Sequence, residues 1–413
     1  MTKGFIKKII IGCVGLLAFC SCLYIAYTNR PIYKLDKECN LNNSKSCTEL
    51  GTIYKKQNLQ KSVELFNKAC ELNDGDGCFN LAYANEHGQG VQQNIPLSNN
   101  LYKKACQLNN STACANLAVQ YYQGNGVEQD NVKAAEFCKK SCELGNILGC
   151  RNLGIFNELA IGIEQNYITA FNLYAKGCDL NDVTSCVLLG NLYGRGLGVR
   201  RDNFKAVELY EKACKLNDGY GCFSLGKAHE SGIGVKQNLL EAKNLYLKGC
   251  QLNYGFSCST LGEIYSYLGT DKNFLTNTNT PWNSFWIHLE IGRSENIEYI
   301  YEYDIKAASF AQKGCNLNDG YGCFLLGNFF WEGTGVETQD NWKAAELYEK
   351  ACQLNNSSGC IELGRLYEHK KQTLNSSNEQ VFSLDLTMAA KLYKKACSLG
   401  NDVGCSLANS VND

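Results

Sequence analysis

The apolar residues between Cys186 and Cys214 fall into two groups, each with the spacing of an amphipathic helix. In the second group Ala206, Val207, Tyr210, Ala213 and Cys214 line one stripe of a 3.6-residue helix, and in the first Leu189, Leu192 and Tyr193 do the same. Between them lies a Gly-x-Gly-Val stretch, Gly196 to Val199, and the polar Asp202 stands where the second group begins. The pattern predicts two helices around a tight glycine turn. Asp202 is placed to accept hydrogen bonds from the first amides of the second helix, which have no partner within the helix.

The same pattern recurs along the chain. Gly-x-Gly-Val returns at Gly88, Gly124, Gly232 and Gly333, and Asn94, Asp130, Asn166, Asn238 and Asp340 stand at the matching helix starts. One such glycine motif alone would suggest phosphate binding, but five copies at repeat spacing are turns that need positive φ. The most regular feature is a Cys-x7-Cys pair: Cys39/Cys47, Cys70/Cys78, Cys106/Cys114, Cys142/Cys150, Cys178/Cys186, Cys214/Cys222, Cys250/Cys258, Cys315/Cys323, Cys352/Cys360 and Cys397/Cys405. From Cys70 to Cys250 the first members advance by 36 residues at each step. That period marks an elongated array of repeats, so the chain reads as all-α, a solenoid of about nine stapled helix pairs. Each pair links the end of one second helix to the start of the next first helix.

Composition narrows the chemistry. The 40 basic and 41 acidic residues leave a net charge of −1, without the basic footprint of a nucleic-acid binder. Residues 1–27 begin with lysines and continue into an apolar run from Ile9 to Tyr27, which reads as an export segment. A cleaved signal peptide, a retained membrane anchor and a lipidated Cys22 all fit it, and any membrane contact is expected through this segment alone. Export and paired cysteines together favour disulfides. Zinc is the competing reading, but with four histidines in 413 residues and each pair standing about 36 residues from the next, a four-ligand site would have to be built between repeats. His87, His229, His288 and His369 show no paired ligand spacing, so neither metal nor cofactor is expected.

Within the repeat, a small residue recurs at the fifth place of the first-helix stripe (Ala82, Ala118, Gly154, Gly190, Gly226, Gly262, Gly327, Gly364). Glycine costs a helix about 1 kcal/mol relative to alanine, so the recurrence implies close packing. An aromatic residue stands four places before the second-helix cysteine: Phe66, Tyr102, Tyr174, Tyr210, Tyr246, Tyr348 and Tyr393. Cys138 takes that place once and is expected as a buried free thiol, with pairing to another molecule as the alternative. Residues 31–46 are expected as an N-terminal cap, 47–257 as repeats one to six, 258–322 as a seventh repeat with an insertion, 323–404 as repeats eight and nine, and 405–413 as a stub. The separation between Cys258 and Cys315 is 57 where 28 is the rule, which adds 29 residues that include Trp282, Phe285, Trp286, Tyr299, Tyr301 and Tyr303. They are read as longer helices packing on their neighbours or as a partner-contacting element centred on Trp282 and Trp286.

The run Cys-x-x-Leu-Gly-x-x-Tyr, Gly-x-Gly-Val, Asp-x-x-Lys-Ala, Tyr-x-Lys-Ala-Cys-x-Leu-Asn resembles Sel1-like repeats, relatives of the tetratricopeptide repeat. With a cysteine pair in each repeat and an export segment, the chain is similar to the Helicobacter cysteine-rich protein family over roughly residues 31 to 409. The resemblance implies a right-handed superhelix of disulfide-stapled antiparallel helix pairs with a concave groove, in the periplasm or secreted. It also implies penicillin binding with weak β-lactamase activity. Ser224 and Lys227 match Ser-x-x-Lys by letters, but the chain contains neither Ser-Asp-Asn nor Lys-Thr-Gly. In tetratricopeptide-like arrays polar side chains of the first helix grip a peptide, and Asn80, Asn116 and Asn152 occupy one such place in successive repeats. The leading expectation is an exported scaffold for a protein or peptide ligand, peptidoglycan-related or host proteins among the options, with a β-lactam-hydrolysing enzyme as the alternative.

Overall fold

The computed structural model describes residues 32–269, 297–368 and 385–411, and every regular element among them is helical. They divide into two compact units, Met1–Leu180 and Asn181–Asp413. In the first unit a helix over 32–40 is followed by four pairs. The first helices are Ser44–Tyr54, Gly75–His87, Ser111–Gln123 and Ile147–Leu159; the second helices are Leu59–Glu71, Ile95–Gln107, Asn131–Glu143 and Tyr167–Asp179. In the second unit the first helices are Val183–Arg195, Gly219–Ser231, Gly255–Gly269, Gly320–Glu332, Ser357–Glu368 and Asp402–Ser410. Their partners are Asn203–Lys215, Leu239–Gln251, Ile297–Asn316, Asn341–Gln353 and Leu386–Ser398. Within each unit a helix packs on the one before it and the one after it, which is the stacking of a solenoid.

Both ends of the helices are specified locally. Asn94, Asp130, Asn166, Asp202, Asn238 and Asp340 each accept a hydrogen bond from the amide three residues on, so every predicted cap forms. After the second helix, a residue in the left-handed region turns the chain, an asparagine such as Asn217 at φ 61° or a glycine at Gly145 and Gly400. The next residue, Asp218, then caps the following first helix by accepting from the Gly221 amide at 2.6 Å. In the Gly-x-Gly turn, Gly88 and Gly90 have φ 65° and 74°. A Cβ on Gly90 would lie 2.5 Å from the Leu59 carbonyl oxygen, so that glycine is needed for close approach as well as for its dihedral.

The recurrent glycine of the first helix is explained by the tyrosine of the second. A Cβ at Gly154 would sit 2.5 Å from Cε1 of Tyr174, and at Gly226 it would sit 2.6 Å from Cε1 of Tyr246. One side of each ring, led by Cε1, lies against the bare helix, and both tyrosines are fully buried. Disulfides then staple the pairs: Cys39–Cys47, Cys70–Cys78, Cys106–Cys114, Cys142–Cys150, Cys214–Cys222, Cys250–Cys258, Cys315–Cys323, Cys352–Cys360 and Cys397–Cys405, with Cα separations of 4.4 to 4.8 Å. Cys178 and Cys186 are each disulfide-bonded. A further link between neighbours has no counterpart in the sequence reading. Lys104, Lys248, Lys350 and Lys395 donate to the carbonyls of Cys70, Cys214, Cys315 and Cys352 at 2.7 to 3.0 Å. Each ammonium thereby satisfies a carbonyl in the last turn of the preceding second helix, where positive charge is favoured.

The segment around the insertion is partly described. The helix Ile297–Asn316 runs for 20 residues where most second helices run for 13, and Tyr303 stacks on Tyr265 at 6.1 Å between ring centroids. Trp282, Phe285, Trp286, His288, His369, Cys22 and the rest of residues 1–27 lie outside the described residues.

Candidate functional site

The buried tyrosines carry the chain's most regular polar arrangement. Tyr102, Tyr174, Tyr246 and Tyr393 donate their hydroxyls to Glu86, Glu158, Glu230 and Glu368, each at the twelfth place of the preceding first helix or its equivalent. The Tyr102, Tyr174 and Tyr393 bonds measure 2.6, 3.0 and 2.6 Å. Burial, and after it the neighbouring carboxylate, holds these hydroxyls above the ordinary phenol range, so they remain donors. Tyr210 and Tyr348 use another acceptor, the side-chain oxygens of Asn191 and Asn328 at 2.7 and 2.9 Å. Where the ring carries no hydroxyl or is missing, the glutamate is missing too: Lys55 accompanies Phe66, Tyr122 accompanies Cys138, and Ser266 accompanies Ala311.

Cys138 is buried and free, and desolvation pushes its thiol up to about 12, which keeps it protonated and unreactive.

The three asparagines singled out in the sequence lie on successive first helices of the first unit, all half-buried. Asn80 donates to the Asp76 carbonyl of its own helix at 2.9 Å. The Asn116 amide lies beside the Tyr102 hydroxyl, which donates to Glu86, while Gln120 donates to the other oxygen of that carboxylate at 2.6 Å. Asn80 and Asn116 therefore keep part of their amide capacity unspent. In the second unit the equivalent places carry Leu188, Ser224, Thr260, Leu325 and Glu362, so the asparagine row belongs to the first unit.

Ser224 and Lys227 lie on the helix Gly219–Ser231. The Lys227 ammonium is 3.0 Å from a Glu230 carboxylate oxygen and lies over the rings of Phe223 and Tyr246 at 6.0 and 5.9 Å. The Lys227 ammonium is thereby committed to a carboxylate of its own helix rather than to the Ser224 hydroxyl that a serine–lysine nucleophile would require. Both residues border a cleft of about 330 Å³ beside Tyr210, Tyr220 and Phe223. His87 stacks on Tyr83 at 4.0 Å and its Nδ1 faces the Tyr83 carbonyl at 3.0 Å, so it serves its own helix end. Among the described residues no three His, Cys, Asp or Glu side chains converge on a metal-sized site, and no helix is long and apolar enough to cross a membrane.

Sequence reasoning missed the glutamate that accepts from Tyr102, Tyr174, Tyr246 and Tyr393, and the cleft beside Tyr210, where that glutamate is lacking. The signal was present in the twelfth place of the first helix, which carries glutamate ahead of Tyr102, Tyr174, Tyr246 and Tyr393 and another residue in the remaining pairs.

Comparison with known proteins places this arrangement. The Sel1 repeat profile matches residues 46–74, 75–110, 111–146, 147–182, 183–218, 219–254, 320–356 and 378–401. A protective antigen of uropathogenic Escherichia coli with an SLR fold is similar in structure, with 22% identity over 92% of this chain and 90% of that one and a TM-score of 0.54. Helicobacter pylori cysteine-rich protein B is 30% identical over 31% of this chain and 96% of its own, with a TM-score of 0.26. A Sel1 repeat protein from Oxalobacter formigenes shares 20% identity over 50% of this chain and 85% of its own, with a TM-score of 0.46. No curated protein matches the chain. With eight profile matches spread over both units and the stapled helix pairs that carry them, the chain belongs to the Sel1 repeat family.

Proposed function

We propose that the chain is an exported scaffold that binds a protein or peptide through the first-helix residues of its repeats, by shape and hydrogen bonding and without covalent chemistry. The observation that supports this is the row Asn80, Asn116 and Asn152 at one place in three successive first helices, with amide groups on Asn80 and Asn116 not fully used inside the fold. An amide side chain offers both a donor and an acceptor, which suits an extended peptide backbone whatever its sequence. Export is supported by the staples, which persist only in an oxidising compartment such as the periplasm or the extracellular space. Replacing Asn80, Asn116 and Asn152 together by alanine should abolish partner capture while the helical circular dichroism stays unchanged. A folded triple variant that captured the same partners as the parent would refute the reading.

A further inference from the structure

The pair that begins at Val183 departs from the tyrosine–glutamate rule in one respect. Gly194 stands where Glu86, Glu158 and Glu230 stand in other pairs, yet Tyr210 is present. Its hydroxyl turns to Asn191, whose own amide donates to the Tyr220 hydroxyl at 2.8 Å. A Cβ at Gly194 would meet nothing nearer than Ala206 Cβ and the Tyr210 hydroxyl, both at 3.8 Å. The unfilled space opens into the 330 Å³ cleft, which lies wholly within the second unit. Among the described pairs only this one sets a tyrosine under a position without a side chain. In the pair of Tyr348, the corresponding residue is Trp331.

The charge around the cleft is one-sided. Its lining includes Arg201 and Lys227 and no carboxylate. Lys227 is paired with Glu230 on its own helix, whereas Arg201 donates only to the neutral Asn203 side chain, at 3.3 Å. The cleft thus combines an aromatic wall from Tyr220 and Phe223, a tyrosine floor and an arginine without a carboxylate partner. We propose that it is an anchor pocket for a glutamate side chain presented by a partner polypeptide. The incoming carboxylate takes the place that the chain's own glutamates hold above Tyr102, Tyr174 and Tyr246. It pairs with Arg201, and its methylene stem lies against Phe223. The assignment rests on the chain being a protein-binding scaffold but not on the asparagine row, which lies in the other unit.

The test uses the full chain and two capped tripeptides, acetyl-Leu-Glu-Leu-amide and acetyl-Leu-Gln-Leu-amide, followed through the backbone amide resonances of Gly194 and Lys227. The glutamate peptide should give saturable shifts at these residues, and the glutamine peptide should bind about tenfold more weakly, the loss expected for one charge-assisted pair. Gly194→Glu supplies the carboxylate from within, is sterically allowed, and should abolish binding while the melting temperature holds or rises. Arg201→Gln should weaken the glutamate peptide to the level of the glutamine one. Equal binding of the two peptides, shifts located elsewhere, no saturable shift at all, or parental affinity in folded Gly194→Glu would each overturn the assignment. The Asn80/Asn116/Asn152 triple alanine variant should bind the glutamate peptide normally, so a failed groove and a failed pocket give different results.

Discussion

Removing one staple from the middle of the first unit gives a quantitative test of how the array holds together. In Cys106→Ala/Cys114→Ala the lost bond closes a sequence separation of 8 residues, with Cα atoms 4.8 Å apart. For a loop of that size the chain-entropy relation gives about 2.5 kcal/mol at 25 °C. Both side chains are buried, at 1% and 0% exposure, so deleting two sulfurs adds about 1 kcal/mol each, roughly the transfer cost of a methylene. The total is about 4.5 kcal/mol. Because each repeat contacts mainly its neighbours, the loss should be local. Urea unfolding followed by circular dichroism would measure the magnitude. Hydrogen exchange read by mass spectrometry should show protection falling first in Ile95–Gln107 and Ser111–Gln123, the two helices the bond joins. A loss below about 1 kcal/mol would refute the reasoning, because the entropy term alone exceeds it. Equal loss of protection across both units would also refute it, since that would require a cooperativity the stacking does not provide.

Other perturbations test individual contacts. Tyr174→Phe removes the hydroxyl that reaches Glu158 at 3.0 Å and should cost about 1 kcal/mol in urea unfolding, whereas Phe66→Tyr, with Lys55 at the acceptor position, should give no gain. Cys138 should resist a thiol-specific reagent at pH 8 in the native chain and react promptly in guanidinium, because burial holds the thiol protonated. Asp304 is buried, one of its oxygens has no partner, and desolvation followed by Glu332 raises its pKa. A raised carboxyl favours folding below the ordinary carboxylate range and loses that contribution as pH rises. Asp304→Asn should therefore be more stable than the parent at pH 7, and the difference should vanish near pH 4 in thermal melts; a gain that persists in acid would contradict the burial argument. Chromogenic cephalosporin turnover by the purified chain, if measured, should be unchanged by Ser224→Ala, since Lys227 is paired with Glu230.

Much of the fold was legible in the chain because its determinants are local and repeated. The caps at Asp130 and Asp202, the glycine turn at Gly88 and the cysteine pairs all act within a few residues of one another, and repetition makes each visible several times. The inter-repeat bonds were not legible. Lys104 reaches a carbonyl 34 positions earlier, and the sequence presents it only as one surface lysine among many. The same holds for the candidate sites. The asparagine row could be read as a periodic polar place, but its half-burial and the place of Asn116 beside Tyr102 depend on how two helices meet. The cleft at Gly194 is an absence: a glutamate expected by the repeat and not supplied, which has meaning only once Tyr210 is known to lie beneath it.

The most direct test of the scaffold reading is photo-crosslinking in the cells that produce the protein, with a crosslinker placed in turn at Val119 and at Lys212, followed by mass spectrometry. Val119 is exposed on a first helix three residues from Asn116, while Lys212 lies on a second helix. A scaffold that works through its first helices should give a discrete protein adduct from Val119, lost when the three asparagines are replaced, and none from Lys212. Adducts from Lys212 alone, or no protein adduct from either position, would contradict it.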